Sequence, residues 1–232
     1  MKTVFITGIS RGLGKELFNL FSSENYFVYG VLRNPLEAEE LKKNIPENSK
    51  IIIADLASDK SIEIIQQAVK YSPIDFLINN AGIGGSSNQV QNIESTEIID
   101  LFNIHCLGVL RTVKALERNL LKAEKPIVLN LNSRLGSITR QSNGTYENLT
   151  VSYSYRIAKA SQNMLTNCLR SEFKDSIQFI SIHPGKMNTE IAQIDADIEP
   201  INVANRILSF YEDGKLKAEN GIIELGKEII EW

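Results

Sequence analysis

The sequence predicts an α/β fold: a doubly wound, seven-stranded, mostly parallel sheet with helices on both faces. Three observations carry that expectation. Short apolar runs rich in β-branched residues recur from end to end. Stretches with apolar residues at helical spacing separate them, and parallel neighbours need such crossovers. A glycine-rich turn joins the first run to the first helical stretch.

The expected strands are 4–6, 27–32, 51–54, 76–78, 127–131, 177–182 and 222–225. Most are nearly continuous apolar runs, the pattern of strands covered on both faces. Leu13, Leu17, Leu20 and Phe21 fall at i, i+4, i+7 and i+8, which predicts an inward helical stripe. Ala160, Met164, Cys168 and Leu169 also fall at helical spacing, i, i+4, i+8 and i+9, and are expected to do the same. No linker rich in Pro, Gly or Ser interrupts the series, so residues 1–232 read as one domain. Two polar stretches, 84–92 and 141–152, stand out as loops.

Composition narrows the function classes. The chain has 232 residues, 43% hydrophobic and 23% charged, with 25 Lys+Arg against 28 Asp+Glu. A net charge of −3 argues against a nucleic-acid or anionic-membrane binder. No apolar run approaches the length of about 18 residues that a membrane span needs, and no signal peptide is recognisable, so the cytoplasm is expected. Cys106 and Cys168 sit in apolar helical patterns and are expected to be buried and reduced. No metal site is expected from two His and two Cys.

After the first strand the chain reads Thr7-Gly8-Ile9-Ser10-Arg11-Gly12-Leu13-Gly14. Glycines at this spacing allow a tight turn and a close approach of backbone to pyrophosphate. The helix N-terminus that follows offers unpaired N–H groups. The same pattern alone would also serve a plain strand-to-helix connection. Arg33 follows the second strand, where an acidic residue would suit a ribose 2′-hydroxyl. An arginine suits a 2′-phosphate instead, with Arg11 sharing the load, so NADP(H) is expected over NAD(H).

Further segments follow in order: Asp55-Leu56 after the third strand, Asn79-Asn80-Ala81-Gly82 after the fourth and Ser133 after the fifth. Tyr155-Arg156-Ile157-Ala158-Lys159 opens a helix, and His183-Pro184-Gly185 ends the sixth strand. With this set the sequence resembles the short-chain dehydrogenase/reductase family. Within it the likeness is to the C-factor-like and sniffer-like carbonyl reductases, carried by Ser133-Arg134-Leu135-Gly136-Ser137-Ile138, Tyr153-Ser154-Tyr155-Arg156 and the stretch from Asn220 to Trp232. A second Tyr-x-x-x-Lys match, Tyr211 to Lys215, contains Gly214 where a helix should end and reads as coincidence.

The resemblance implies a Rossmann fold and an oxidoreductase that interconverts a ketone or aldehyde and its alcohol. It implies Tyr155 as general acid/base, Lys159 as the group that lowers its pKa and holds the nicotinamide ribose, and Ser133 as the hydroxyl that orients the carbonyl. Tyr and Lys at i and i+4 share a helix face, which makes that pairing physically reasonable. It further implies cofactor contacts from Gly8, Ser10, Arg11, Gly12, Leu13 and Gly14, from Asp55 and Leu56, from Asn80, Ala81 and Gly82, and from Pro184, Gly185, Met187 and Thr189.

One departure stands out. Where the family has a fourth catalytic residue, an Asn, this chain has His105. Asn103, two residues earlier, would project about 200° away on a helix. Three readings stay open for His105: it carries the relay water, the relay is impaired, or it is a satisfied core histidine. An impaired relay would leave an NADP(H)-binding regulatory protein with little catalysis. The pocket is expected to be lined from 84–92, 134–152 and 187–197. Apolar stretches in the helices of His105 and Tyr155 suit either core or a homodimer or homotetramer face.

Overall fold

The computed structural model describes residues 1–188, 198–225 and 229–232. Strands β1 (Lys2–Thr7), β2 (Tyr26–Leu32), β3 (Ser49–Ile53), β4 (Phe76–Asn79), β5 (Ile127–Leu131), β6 (Gln178–His183), β7 (Ile222–Glu224) and β8 (Ile229–Ile230) form one sheet. Their order is β3-β2-β1-β4-β5-β6-β7-β8. All neighbours are parallel except β7 and β8, which run antiparallel. The expected seven strands are therefore joined by an eighth. Its two residues are too short a run to read from hydropathy.

The helices are α1 (Gly12–Ser23), α2 (Pro35–Lys42), α3 (Lys60–Val69), α4 (Ser95–Phe102), α5 (Gly108–Leu120), α6 (Ile138–Ser142), α7 (Tyr153–Glu172) and α8 (Pro200–Glu212). They cover both faces because strand side chains alternate. Val4, Ile6, Phe76, Ile78, Leu129 and Ile180 point to one core with α1 and α8. Phe5, Leu77, Val128 and Phe179 point to the other, with α3 and α5. Each fully buried large side chain contributes roughly 1.5–3 kcal/mol. The order reverses between β1 and β4, and the cleft outside the strand C-termini at such a point is where this architecture takes ligands.

Helix α1 buries Leu13, Leu17 and Phe21 as the stripe predicts. Helix α7 does not follow its stripe. It buries Gln162, Asn163 and Thr166 along with Ala158 and Leu169, while Met164 is 65% exposed. Cys168 is exposed too, a correction to its expected burial, whereas Cys106 is buried. The polar face turns inward because the sheet beneath it is polar. Asn130 donates to Thr166 Oγ1 at 2.9 Å, Ser181 donates to Asn163 Oδ1 at 2.9 Å, and Asn132 donates to Asn163 as well. Buried polar groups that are fully paired carry little penalty, and here they fix the helix on the sheet.

The second Tyr-x-x-x-Lys match is structural. Tyr211 stacks on Phe76 with ring centres 4.3 Å apart, and Lys215 pairs with Asp213 at the surface. No helix among the described residues is long and apolar enough to cross a membrane.

Candidate active site

A cleft of about 1130 Å³ opens above the C-terminal ends of the strands. Its lining includes every described residue named above as a cofactor or catalytic candidate, from Gly8 and Arg33 to Ser133, Tyr155 and Lys159. Of the loops expected around the substrate, only residues 84–86, 88, 134–135, 149–152 and 187–188 reach it. Thr189 lies outside the described residues.

The glycine turn is shaped by close approach. Gly8 has φ +74°, and a Cβ there would meet the Ala81 Cα at 2.7 Å. A methyl on Gly14 would overlap the Gly8 carbonyl oxygen. Asn80 locks the turn from the neighbouring strand: its Nδ2 donates to the Thr7 and Gly8 carbonyls, both at 3.0 Å. Thr7 Oγ1 accepts from the Asn80 and Ala81 backbone amides at 3.0 and 3.1 Å. Asn79 points into the core and donates to Asn130 at 2.8 Å. Asn80 thus builds the cradle from below, while Asn79 joins β4 to β5 in the core.

Helix α1 begins on Arg11, whose side chain does not cap it, and its first turn has no acidic residue. Its leading N–H groups and positive dipole end face the cleft, which suits a bound diphosphate. Arg33 is exposed and lines the cleft, as do Arg11, Glu37 and Asp55. The Arg11 and Arg33 guanidiniums are the donors of this set that suit a dinucleotide with an extra phosphate.

At the opposite end three elements deliver the polar groups. Ser133 leaves β5 as the cap of a short 3₁₀ turn, Arg134–Gly136, held by its amide on Asn132 Oδ1 at 2.8 Å. Tyr155 sits in the first turn of α7, where Ser152 Oγ accepts from its amide at 3.2 Å. Ser133 hydrogen-bonds the Tyr155 phenol. Lys159 lies one turn on, with Nζ 5.7 Å from the Tyr155 ring centre.

Burial dominates the electrostatics. It pushes the Tyr155 phenol up to about 12, against the lowering effect of the Ser133 hydrogen bond. Desolvation of the phenolate form is the larger of these two effects. Burial also pulls the Lys159 ammonium down to about 7.

His105 is 2% exposed and lies in a π-helical turn, Asn103–Leu107, ahead of α5. Its Nε2 is 2.8 Å from the Ile83 carbonyl and 3.3 Å from the Ile83 amide. The shorter contact assigns the ring proton to Nε2. Burial, then the nearby Lys159, pull His105 down to about 3, so the ring is neutral. Its buried Nδ1 has no partner. Asn103 faces elsewhere: it donates to the Ala57 carbonyl at 2.9 Å and accepts from Arg111 at 2.7 Å.

Sequence reasoning missed one organising residue, Glu97 on α4. Its carboxylate accepts from the Ser86 hydroxyl at 2.6 Å, the Ser86 amide at 3.2 Å and the Ser152 hydroxyl at 3.3 Å. It ties the loop after β4 to the start of α7. No sequence pattern marks it, since its partners come from two distant loops.

Comparison with known proteins agrees with this geometry. Residues 2–198 match the family model described as short chain dehydrogenase. An oxidoreductase of Emericella nidulans is 26% identical over 216 residues, 93% of this chain and 81% of that protein. The structure of carbonyl reductase Sniffer of D. melanogaster superposes with a TM-score of 0.84 at 25% identity, over 100% of both chains. That of NADPH-bound carbonyl reductase from chicken fatty liver gives 0.85 at 22% identity, over 100% of this chain and 99% of that one.

Proposed function

The chain belongs to the short chain dehydrogenase family, and on that premise we propose that it reduces a ketone or aldehyde to its alcohol, or runs the reverse, with NADP(H). One observation carries the reading. Ser133, Tyr155 and Lys159, from β5 and α7, meet at the far end of a cleft whose near end is the glycine turn. The chicken carbonyl reductase with the same fold holds NADPH, and Arg11 and Arg33 suit its 2′-phosphate here.

When bound, the nicotinamide supplies the hydride. The glycine turn and the first turn of α1 hold the diphosphate. The Ser133 hydroxyl and the Tyr155 phenol converge on the carbonyl oxygen and orient the carbonyl carbon. A phenol pushed up to about 12 is protonated at neutral pH, the right form for a general acid in reduction. As negative charge develops, the carbonyl oxygen becomes more basic than phenolate and takes the Tyr155 proton. Lys159 stabilises the phenolate left behind. His105 stays neutral and anchors Ile83 beside the site.

Exposed Ile99 on α4, Leu110 on α5, and Ile157 and Met164 on α7 support pairing of copies, as a homodimer or homotetramer, through these helices. The functional test is NADPH oxidation against a panel of small ketones and aldehydes, with NADPH binding measured by calorimetry. Turnover with at least one carbonyl class is expected. Tight NADPH binding without turnover across the panel would instead favour a regulatory, cofactor-binding protein.

A further inference from the structure

We propose that Gln162 is a positioning residue: its carboxamide oxygen holds the Lys159 ammonium beside Tyr155 and favours its charged form. The proposal rests on the reading that Tyr155 and Lys159 carry the proton chemistry.

Lys159 is 4% exposed and Gln162 2%. An ammonium has three donors and no acceptor. Two of them are taken, by the Leu131 carbonyl at 2.8 Å and by Gln162 Oε1 at 3.0 Å. Among the described residues no carboxylate pairs with it. The titratable groups that face it are Tyr155, on its own helix, and His105, from the π-helical turn. His105 is neutral, so two fixed carbonyl dipoles are what offset the burial of this charge. The Leu131 carbonyl is backbone, present whatever the sequence. Gln162 is the side chain that makes the second contact.

Gln162 is itself fixed. Its backbone carbonyl accepts from Thr166 Oγ1 at 2.8 Å, Thr166 accepts from Asn130 at 2.9 Å, and Asn130 accepts from Asn79 at 2.8 Å. These contacts tie helix α7, which carries both Lys159 and Gln162, to the two central strands β4 and β5. The residue type also fits the task. A glutamate here would pair with the ammonium and cancel the field that Tyr155 feels. A methionine would leave a buried donor unmet. An amide oxygen favours the charged form without neutralising it.

The test is the titration of Lys159, read from the side-chain carbon shifts of ¹³C-lysine-labelled protein, with Lys159→Met to assign the signal. Gln162→Met is expected to lower the midpoint by about one unit or more, the effect of losing one hydrogen bond to a charged group. Gln162→Glu is expected to raise it. Thr166→Val, one link further along the network, should leave it in place while lowering stability. Midpoints that stay put in both Gln162 variants, or move the same way in both, would overturn the proposal. The titration needs no turnover. An inactive protein with these shifts would contradict the proposed reaction and leave the positioning role standing.

Discussion

The His105 imidazole stands edge-on to the Tyr155 ring, with ring centres 5.5 Å apart and planes at 86°. The contact packs a neutral, buried histidine against the general acid. Burial holds the folded-state value at about 3, against about 6.5 in an unfolded chain. A depressed value contributes stability that is complete above about 6.5 and is lost as pH falls toward 3. His105→Asn keeps a donor for the Ile83 carbonyl but cannot take up a proton. Urea denaturation from pH 7.5 to 4 should show the wild type losing about 3 kcal/mol more than the variant. Parallel curves would contradict the assignment.

Lys159 is held at a cost in stability. Burial pulls it to about 7, so the unfolded chain binds that proton more tightly between about 10.4 and 7. The stabilising contribution is complete only above that window and falls away as pH drops through it. At pH 7 the cost is about 4 kcal/mol. Lys159→Met removes it but leaves the Leu131 and Gln162 oxygens without a donor, each of which costs about 1–3 kcal/mol. The variant should be inactive, and its stability relative to the wild type should fall by about 3 kcal/mol from about pH 7 to about pH 10 as the wild type sheds its penalty. A stability difference that stays constant across that pH range would contradict this account of the amine.

Arg33 and Arg11 flank the cleft at the α1 end. A charge-assisted bond to phosphate contributes about 1.5–3 kcal/mol. Arg33→Ala should weaken NADPH binding by roughly 10-fold or more while NADH binding changes little. The double variant with Arg11→Ala should weaken it further. Equal losses for both nucleotides, measured by calorimetry, would remove the 2′-phosphate from the assignment.

Glu97 is held well below the usual carboxylate range, at about 2, first by the Ser86 hydroxyl and then by further serine contacts. Its contribution is present above about 4.5 and is lost as pH falls through 2. Glu97→Gln should raise KM more than it lowers kcat, because the loop after β4 and the start of α7 lose their shared acceptor. The stability loss should be only about 1 kcal/mol, since solvent screens the site. A drop in kcat at unchanged KM would place Glu97 in the chemistry rather than in shaping the mouth.

Much of the fold is legible in the sequence because its signals are local. The apolar runs of β1 to β7 and the stripe of α1 follow from hydropathy alone. Helix α7 misleads the same reasoning. Its inward face is Gln162, Asn163 and Thr166, paired to Asn130, Asn132 and Ser181, so the apolar Met164 and the thiol Cys168 turn outward. Residue polarity predicts exposure only when the opposing surface is apolar. Ser133, Tyr155 and Lys159 are legible as a motif, but the upward push of burial on the phenol depends on the packed pocket around it. Glu97 and Gln162 act through partners far apart in sequence or inside the core, and no spacing rule reaches them.

The central claim is that Tyr155 delivers the proton as the carbonyl is reduced. Steady-state NADPH oxidation by wild type and Tyr155→Phe, on the carbonyl the wild type turns over best, tests it most directly. Turnover should fall by about 100-fold or more, with NADPH affinity within about twofold of wild type. Equal turnover by the two proteins would contradict it.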